Sequence, residues 1–219
     1  MKNGYTVIIP TMWQSPDCII KMLNLYCESD YVNEIIIIDN DRSKTINNDI
    51  LNHSKVKIVT NNRNLYVNPA WNWGVSHSNT EKIIITNDDV VIESFDKLIE
   101  YVDLNLKPNQ VIGPSKSCFN NPDSQLSLKS SNKKMNWGWG TFMIMFKESF
   151  KPIPGEFLIW RGDHIQYILN EPYTFNGVHI ETKMSTTINS KKLTSKALKD
   201  KEVFLKYYTN DGKLRNFNE

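Results

Sequence analysis

The sequence predicts an α/β protein with a mostly parallel central sheet flanked by helices. Short runs of apolar, mostly β-branched residues have the composition of strands that are buried on both faces. Along the first hundred residues they alternate with segments whose apolar residues have helical spacing. Strands and helices that alternate in this way form βαβ units, in which the strands are parallel. The length of 219 residues is sufficient for one domain with a substantial core.

The predicted elements of the first half are, in chain order, strand 5–10, a helix from Ser15 to about Tyr26, strand 34–39, strand 56–60, a helix from Asn68 to about Ser78 and strand 82–86. Both helices have a start signal. Ser15 suits the N-cap, Pro16 the first helical position and Asp17 the positive end of the helix dipole. Asn68 followed by Pro69 starts the second helix in the same way.

The second half has a less regular pattern. Residues 105–136 are polar and contain three prolines, so we expect loops with little regular structure there. Residues 141–146 have the composition of a later strand, and residues 162–169 that of a helix. The chain then becomes rich in lysine, and its last apolar run is 203–208.

The charge of the chain is small overall but uneven. A net charge of +2 gives no reason to expect a nucleic-acid partner. Residues 191–215, however, contain eight Lys and Arg against three acidic residues. This basic C-terminal stretch has two interpretations: a solvated helix face, or a surface that contacts a membrane peripherally or an anionic substrate.

The cysteines and the N-terminus predict a cytoplasmic protein. Cys18, Cys27 and Cys118 cannot all pair and have no CxxC spacing, which favours a reducing compartment over a disulfide framework or a zinc site. The N-terminal residues lead directly into a strand without the apolar region of a signal peptide. Apolar runs stay well below the roughly 20 residues of a membrane-spanning helix, so we expect no transmembrane segment.

The segment IIITNDDVV, residues 83–91, is the most informative part of the chain. A buried strand ends there in Asn87, Asp88 and Asp89. Ligands of open α/β sheets bind at the carboxyl ends of the strands, and buried carboxylates require a partner, commonly a divalent cation. The alternative is a simple turn, because Asn and Asp are frequent turn residues.

Four segments occur in a fixed order along the chain: VIIPTMW, IIIIDND, NRNLYVNPAWNWGVSHS and TNDDV. Together they resemble nucleotide-sugar glycosyltransferases of the Rossmann-like GT-A fold, most closely those of family 2. The resemblance covers residues 5–92 well and residues 137–180 more loosely. It implies one GT-A domain over residues 1–219, with a nucleotide-sugar-binding half (1–92), an acceptor and catalytic half (93–190) and a basic C-terminal extension (191–219).

The resemblance also implies which residues contact the donor: Pro10, Thr11, Asp39, Asp41, Arg63, Asn72, Asn87 and Asp88. The family's Ala-Arg-Asn sequence is Ala70-Trp71-Asn72 in this chain, so the usual arginine is absent, and Arg63 is the candidate that replaces it. Trp71 and Trp73 have packing in the core as their alternative role.

The TNDDV segment occupies the position of the family's D-x-D motif, which implies a bound Mn²⁺ or Mg²⁺. A divalent cation neutralises the charge that develops on the leaving diphosphate, and both ions prefer oxygen ligands. Asp89 is the expected metal ligand, with Asn87 in place of the first acid. His179 matches a histidine that ligates the metal in many relatives, and its alternative is a structural role.

Asp163 matches the family's catalytic base, in the segment PGEFLIWRGDHIQYIL. A base has to reach the acceptor hydroxyl at hydrogen-bonding distance. The alternative for Asp163 is an N-cap or N1 residue of the helix Ile165–Leu169. Glu156 and His164 are the reserve candidates for the base.

The segment Trp137-Gly138-Trp139-Gly140 resembles the family's acceptor-side loop. Aromatic faces stack on the apolar faces of sugars, and glycine permits close approach of the backbone. Trp137, Trp139 and Gly140 are therefore the predicted acceptor-binding residues, with an aromatic core cluster as the alternative for the tryptophans.

The resemblance implies an inverting glycosyltransferase that moves a sugar from a nucleotide diphosphate, most simply UDP, to a hydroxyl acceptor such as a glycan. Two other functions remain open. A nucleotidyltransferase would share the sheet and the metal, but PTMWQSP lacks the Gly and basic residues of its first loop. A non-catalytic nucleotide- or glycan-binding module would fit Asn87 and Trp71, and the presence of Asp89 and Asp163 counts against it.

Overall fold

The computed structural model of the protein describes residues 4–44, 46–131, 135–183 and 191–208. The strands are β1 (Tyr5–Thr11), β2 (Val32–Asp39), β3 (Val56–Thr60), β4 (Lys82–Thr86), β5 (Val90–Ile92), β6 (Gln110–Pro114), β7 (Ser127–Ser130), β8 (Phe142–Phe146), β9 (Glu171–Asn176) and β10 (Ile180–Thr182). The helices are α1 (Pro16–Glu28), α2 (Val67–His77), α3 (Phe95–Asp103), α4 (Gly162–Leu169) and α5 (Lys191–Tyr207).

Eight strands form one central sheet in the order β3-β2-β1-β4-β8-β6-β9-β7. The first four are parallel, with β1 between β2 and β4 and with β3 at the edge. This arrangement confirms the predicted βαβ organisation. The sheet then becomes mixed, because β8 runs antiparallel to both β4 and β6, and β7 antiparallel to β9. A separate two-stranded ladder pairs β5 with β10.

The central strands are apolar throughout because their side chains point alternately to two buried faces of the sheet. In β2, Ile35 and Ile37 belong to one core cluster, while Ile36 and Ile38 belong to the cluster on the opposite face. Successive side chains of a strand point to opposite faces. Since both faces carry a core cluster that includes helix residues, helices cover both sides of the sheet. Gly74 lies where α2 packs on the sheet, and a Cβ there would collide with Ile8. The close approach of the helix accounts for the glycine.

The prediction of loops over residues 105–136 is wrong for two strands, β6 and β7. β6 is QVIGP and β7 is SLKS, both too short and too rich in Gly, Pro, Ser or Lys to show a strand pattern. Their partners are distant in sequence, since both pair with β9. Tertiary pairing, rather than local preference, determines these two strands.

Helix α5 turns its apolar side toward the domain. Ala197, Val203 and Phe204 are buried, as is Tyr208 directly after the helix, whereas Lys199, Lys201 and Lys206 are exposed. The described part of the basic stretch therefore matches the interpretation as a solvated helix face, and residues 209–219 lie outside the described ranges. Among the helices that are described, none combines the length and the apolar character that crossing a membrane requires.

Candidate active site

A cavity of about 540 Å³ opens at the carboxyl edge of the parallel strands. This is the edge where ligands of open α/β sheets bind. The first half of the chain lines it with Pro10, Thr11, Met12, Asn40, Asn64, Tyr66, Val67, Trp71 and residues 87–89. The second half lines it with residues 135–141, residues 159–161, Asp163, His164 and Leu193.

Two adjacent carboxylates, Asp88 and Asp89, form part of the first wall. They lie in the turn between β4 and β5. The hydroxyl of Thr11 at the end of β1 donates to Oδ2 of Asp88 at 2.6 Å, and the same Thr11 oxygen accepts the N–H of Trp13 at 2.8 Å. Thr11 thus joins the ends of β1 and β4. Asp89 is buried with 5% of its surface exposed.

The Asp88 carboxyl resists ionisation. Burial raises its pKa, the Thr11 hydrogen bond lowers it, and the charge of Asp89 raises it again, so that the pKa reaches about 6. Two carboxylates this close repel each other when both are charged. A cation beside them would relieve that repulsion.

Asp163 lies in the opposite wall, in the first turn of α4. The N-cap position of α4 is Arg161, so Asp163 is not the cap residue. Its Oδ1 accepts the backbone N–H of His164 at 2.8 Å and contacts Nδ1 of His164 at 3.0 Å. Its Oδ2 faces Gly140, where any Cβ would collide with the carboxyl group. Gly140 therefore makes room for Asp163.

Asp163 ionises readily despite its partial burial. Burial raises the pKa of this carboxyl, but the hydrogen bonds from His164 and the charge of Arg161 outweigh that effect and hold the pKa below its usual value. The side chain keeps 25% of its surface exposed. Asp163 is thus an accessible carboxylate at neutral pH.

The aromatic side chains of the second wall have two different roles. Trp139 is completely buried, donates from Nε1 to the carbonyl of Tyr173 at 2.9 Å and packs edge-on against Tyr167. Trp137 is 52% exposed and packs against Phe119. Trp160 is 36% exposed. Trp139 therefore combines core packing with a place in the cavity wall, while Trp137 and Trp160 present free aromatic surface at the rim.

Four of the predicted donor-binding residues are not part of the cavity lining: Asp39, Asp41, Arg63 and Asn72. Asp39 is buried, where its Oδ1 accepts the indole N–H of Trp13 at 3.0 Å and the backbone N–H of Asp41 at 2.9 Å. Asp41 bonds to Ser43. Arg63 is exposed on a loop. In this arrangement Asp39 supports the turn after β2, and the side chains of Asp41 and Arg63 do not line the cavity.

Asn72 and His179 also lie away from the cavity. Asn72 donates from Nδ2 to the carbonyl of Ile153 at 2.7 Å and accepts the N–H of the same residue at 2.9 Å, so its amide joins α2 to a loop. His179 precedes β10, which pairs antiparallel with β5 and sets Ile180 opposite Ile92. In this register His179 lies opposite position 93, four residues along β5 from Asp89. Four residues of a strand span about 13 Å. The structure thus does not bring His179 to Asp89.

The acidic pair fits a divalent cation. Asp88, Asp89 and the amide oxygen of Asn87 are hard oxygen donors, which Mg²⁺ and Mn²⁺ prefer, and substrate phosphates commonly complete such sites. Across the described ranges, the structure contains no group of three or more His, Cys, Asp and Glu side chains that could hold a metal. A cation at this wall would therefore take its further ligands from the diphosphate and from water.

Sequence reasoning missed several residues of the cavity. Asn40 accepts the N–H of Leu65 at 2.9 Å and donates to the carbonyl of Tyr66 at 3.3 Å. Asn64 accepts the N–H of Tyr66 at 2.6 Å, and Tyr66 itself has a positive φ of 65°. Asn40 stands beside Asp39 at the end of a strand, a signal that could have found it. The shape of the loop 64–66 has no comparable sequence signal.

Of the two reserve candidates for the base, only one borders the cavity. His164 lines it beside Asp163. Glu156 is exposed outside it and accepts the hydroxyl of Tyr207 at 2.5 Å. The geometry thus favours Asp163 and its neighbour over Glu156.

Comparison with known proteins adds independent observations. The sequence profile named Glycosyl transferase family 2 matches residues 6–153. A search of curated protein sequences finds no match. Solved structures of similar architecture include GalNAc-T7 with UDP, GalNAc and Mn²⁺, at a TM-score of 0.62 and 11% identity, over 95% of this chain and 48% of that one.

Two further solved structures are similar. TarS 1–349 of S. aureus in complex with UDP has a TM-score of 0.55 and 14% identity, over 81% of this chain and 59% of that one. HddC from Yersinia pseudotuberculosis complexed with GMP-PN has a TM-score of 0.55 and 17% identity, over 91% of this chain and 99% of that one.

At these identities the similarity establishes the fold alone, and the chain spans about half the length of GalNAc-T7. The family profile, by contrast, covers most of the chain and includes the strand ends that carry Thr11, Asp88 and Asp89. The chain belongs to glycosyl transferase family 2 and has the GT-A fold.

Proposed function

We propose that the protein transfers a sugar from a nucleoside diphosphate donor to a hydroxyl group of an acceptor, with inversion at the anomeric carbon. One observation carries the proposal: a single cavity has the acidic pair Asp88 and Asp89 on one wall and the ionised carboxylate of Asp163 on the other. Group transfer to a hydroxyl requires these two functions, stabilisation of a leaving diphosphate and a base for the nucleophile.

The donor would lie against the first wall. Asp88 and Asp89, with Asn87, would hold Mn²⁺ or Mg²⁺, which neutralises the charge on the leaving diphosphate when it is bound. GalNAc-T7 was solved with UDP and Mn²⁺, and TarS with UDP. These ligands support UDP as the first donor nucleotide to test. HddC was solved with GMP-PN, so guanosine nucleotides belong in the same test.

The chemical step needs one base. Asp163 would accept the proton of the acceptor hydroxyl while that oxygen forms a bond to the anomeric carbon. The bond from this carbon to the diphosphate oxygen breaks, and the nucleoside diphosphate leaves. Hydrogen bonds within the described residues occupy Oδ1 of Asp163, which leaves Oδ2 for the proton. Attack on the face opposite the leaving group inverts the configuration.

The acceptor would lie against the second wall. Trp137 and Trp160 present exposed aromatic surface at the rim, and Gly140 lets the chain pass close to Asp163. Aromatic rings stack on the apolar faces of sugar rings, so a glycan is the acceptor class that this wall suits. The division of the chain into a donor half and an acceptor half is part of the same proposal.

A donor screen followed by a turnover assay tests the proposed function. UDP-, GDP- and dTDP-sugars are added to the protein with Mn²⁺ or with EDTA, and the melting temperature is measured. A ligand that binds only the native state raises this temperature. The stabilising donor is then incubated with a panel of glycans, and released nucleoside diphosphate is quantified. Absence of stabilisation by every donor in Mn²⁺ would refute the proposal.

A further inference from the structure

The segment Leu158–Ile159–Trp160 connects the cavity wall to the C-terminal helix. It lies beyond residues 6–153, where the family profile matches. Asp200 of α5 accepts three backbone hydrogen bonds from this segment: Oδ1 from Leu158 at 3.0 Å, and Oδ2 from Ile159 at 2.7 Å and from Trp160 at 2.8 Å. A single carboxylate thus binds three consecutive N–H groups.

Asp200 has only 1% of its surface exposed. A buried carboxylate is costly unless hydrogen bonds compensate it, and here three charge-assisted bonds do so. The other side of the segment is also held, because the carbonyl of Leu158 accepts the N–H groups of Val67 and Asn68. The segment is therefore fixed between the start of α2 and the middle of α5.

The residue that follows the segment, Arg161, has a positive φ of 72°. Non-glycine residues adopt this conformation only when their surroundings enforce it. Phe204, one turn beyond Asp200 on α5, lies under the guanidinium at 5.1 Å and contacts the ring of His164 edge-on at 5.8 Å. Helix α5 therefore restrains both the backbone before Arg161 and its side chain.

Arg161 in turn determines the protonation pattern of His164. Nη1 of Arg161 lies 2.7 Å from Nε2 of His164. A guanidinium can only donate hydrogen bonds, so Nε2 accepts and the ring proton is on Nδ1. That proton is directed at Oδ1 of Asp163, 3.0 Å away. The Nδ1–H group of His164 thus orients the Asp163 carboxylate through Oδ1, and Oδ2 lies on the side of Gly140.

We infer that Asp200 is a positioning residue for Asp163, acting through the segment 158–160, Arg161 and His164. The inference rests on the proposed role of Asp163 as the base. Asp200 is not itself one of the residues that line the cavity, so its effect on catalysis is indirect. A base displaced by about 1 Å costs on the order of 100-fold in rate.

Asp200→Asn is the direct test. The amide nitrogen of Asn cannot accept the hydrogen bonds that Oδ2 accepts now, so the segment loses up to two of its three hydrogen bonds to residue 200. We expect kcat to fall by about 10- to 100-fold, while the affinity for the nucleotide donor stays unchanged. Glu202→Gln is the matched control, since it removes the same charge from an exposed position of the same helix and should leave kcat unchanged.

A double-mutant cycle separates positioning from a general loss of structure. In an Asp163→Asn background, Asp200→Asn should cause little further loss, because the group that it positions has already been removed. Full additivity of the two losses would overturn the inference. So would a folded Asp200→Asn protein with the kcat of the wild type.

A second readout requires no turnover. The ¹⁵N chemical shifts of the histidine rings report which nitrogen carries the proton, with the His164 signals assigned from a His164→Gln variant. In the wild type we expect His164 to be protonated at Nδ1, and in Asp200→Asn to exchange between both tautomers. If the wild type transfers no sugar, the proposed function is wrong. The His164 signals would still show whether Asp200 controls the orientation of His164 and Asp163.

Phe204→Leu covers the case in which Asp200→Asn does not fold. It removes the ring under Arg161 and keeps most of the apolar volume. We expect the same change of the His164 signals and a smaller loss of kcat. Unchanged signals and unchanged kcat in a folded Phe204→Leu protein would overturn the inference.

Discussion

The hydroxyl of Thr11 donates a 2.6 Å hydrogen bond to Oδ2 of Asp88, which joins the ends of two neighbouring parallel strands. This bond favours the charged form of Asp88, yet burial and the charge of Asp89 prevail and raise the pKa to about 6. The Asp88 carboxyl therefore changes its charge near pH 6, where the stability of the protein can be measured.

The first prediction concerns stability and pH. A carboxyl with a raised pKa in the folded state binds its proton more tightly there than in the unfolded chain. Without added metal, we expect the wild type to lose free energy of unfolding relative to Asp88→Asn as the pH rises from about 4 to about 6, and the difference to stay constant above that range. Urea unfolding of both proteins at several pH values measures it. A difference that is independent of pH would show that Asp88 titrates normally.

The second prediction concerns the metal. Asp89→Ala should remove the enhancement of UDP binding by Mn²⁺, because it deletes one of two carboxylates at the first wall. We expect the affinity for UDP in Mn²⁺ to fall by at least about tenfold. Mutation of a residue that only supports a metal ligand already costs about this much. Titration calorimetry with Mn²⁺ and with EDTA measures the affinities.

Asp41→Ala is the control for the metal experiment, since it removes the same charge from a residue outside the cavity lining. It should keep the enhancement. Loss of donor binding in Asp41→Ala would support the sequence prediction that Asp41 contacts the donor. Equal affinity of the wild type in Mn²⁺ and in EDTA would contradict a metal-bridged diphosphate.

The third prediction concerns the base. Asp163→Asn keeps the size of the side chain and its hydrogen bond to the N–H of His164, but it cannot take up a proton. We expect transfer to fall by about 10²- to 10⁴-fold, the range for loss of a general base, with donor affinity and melting temperature little changed. Steady-state kinetics and a thermal melt measure the two effects. Transfer at the rate of the wild type would shift the search to His164.

The fourth prediction concerns Gly140. A Cβ at this position collides with the Asp163 carboxyl, so Gly140→Ala should displace the base and lower kcat by about 100-fold. Gly155→Ala is a matched control, because a Cβ at Gly155 meets no atom within 4 Å. Kinetics of both variants should show a loss in the first and none in the second. A fully active Gly140→Ala protein would mean that Asp163 tolerates displacement.

The fifth prediction concerns the acceptor. Trp137→Ala removes exposed aromatic surface from the rim. For a ring stacked on a sugar we take the magnitude of an aromatic pair, about 0.5–1.5 kcal/mol. We expect the KM for a glycan acceptor to rise a few-fold to about tenfold while the affinity for the donor stays the same. Leu104→Ala, at an 82% exposed position outside the cavity, should change neither. A lower donor affinity in Trp137→Ala would assign the ring to the donor instead.

The first half of the fold and its acidic wall could be predicted from sequence, because both depend on local patterns. The apolar run before Asn87 predicts a buried strand, and the polar residues Asn87, Asp88 and Asp89 mark its end at the edge of the sheet. Asp163 came from the family resemblance, and the structure places it in the cavity wall within the first turn of α4. In these cases the position along the chain nearly determines the position in space.

Other site residues depend on register and packing, which local patterns do not contain. Asn72 lies on α2 within a motif that resembles a donor site, yet rotation about the helix axis directs its amide to Ile153. His179 is separated from Asp89 by the register of β10 on β5. The strands β6 and β7 were missed because their partner, β9, begins more than forty residues after β7.

Strand β8 has a consequence for how the protein is made. It lies between β4 and β6 and is the only link in the described sheet between the parallel half and the rest. During synthesis, β1 to β4 can pair through local βαβ connections, whereas the second wall requires β8 and then α5 from the end of the described chain. We therefore expect a nascent chain to form the acidic wall early and to position the proposed base late, so that a ribosome-bound chain would reach full transfer activity only once α5 has emerged.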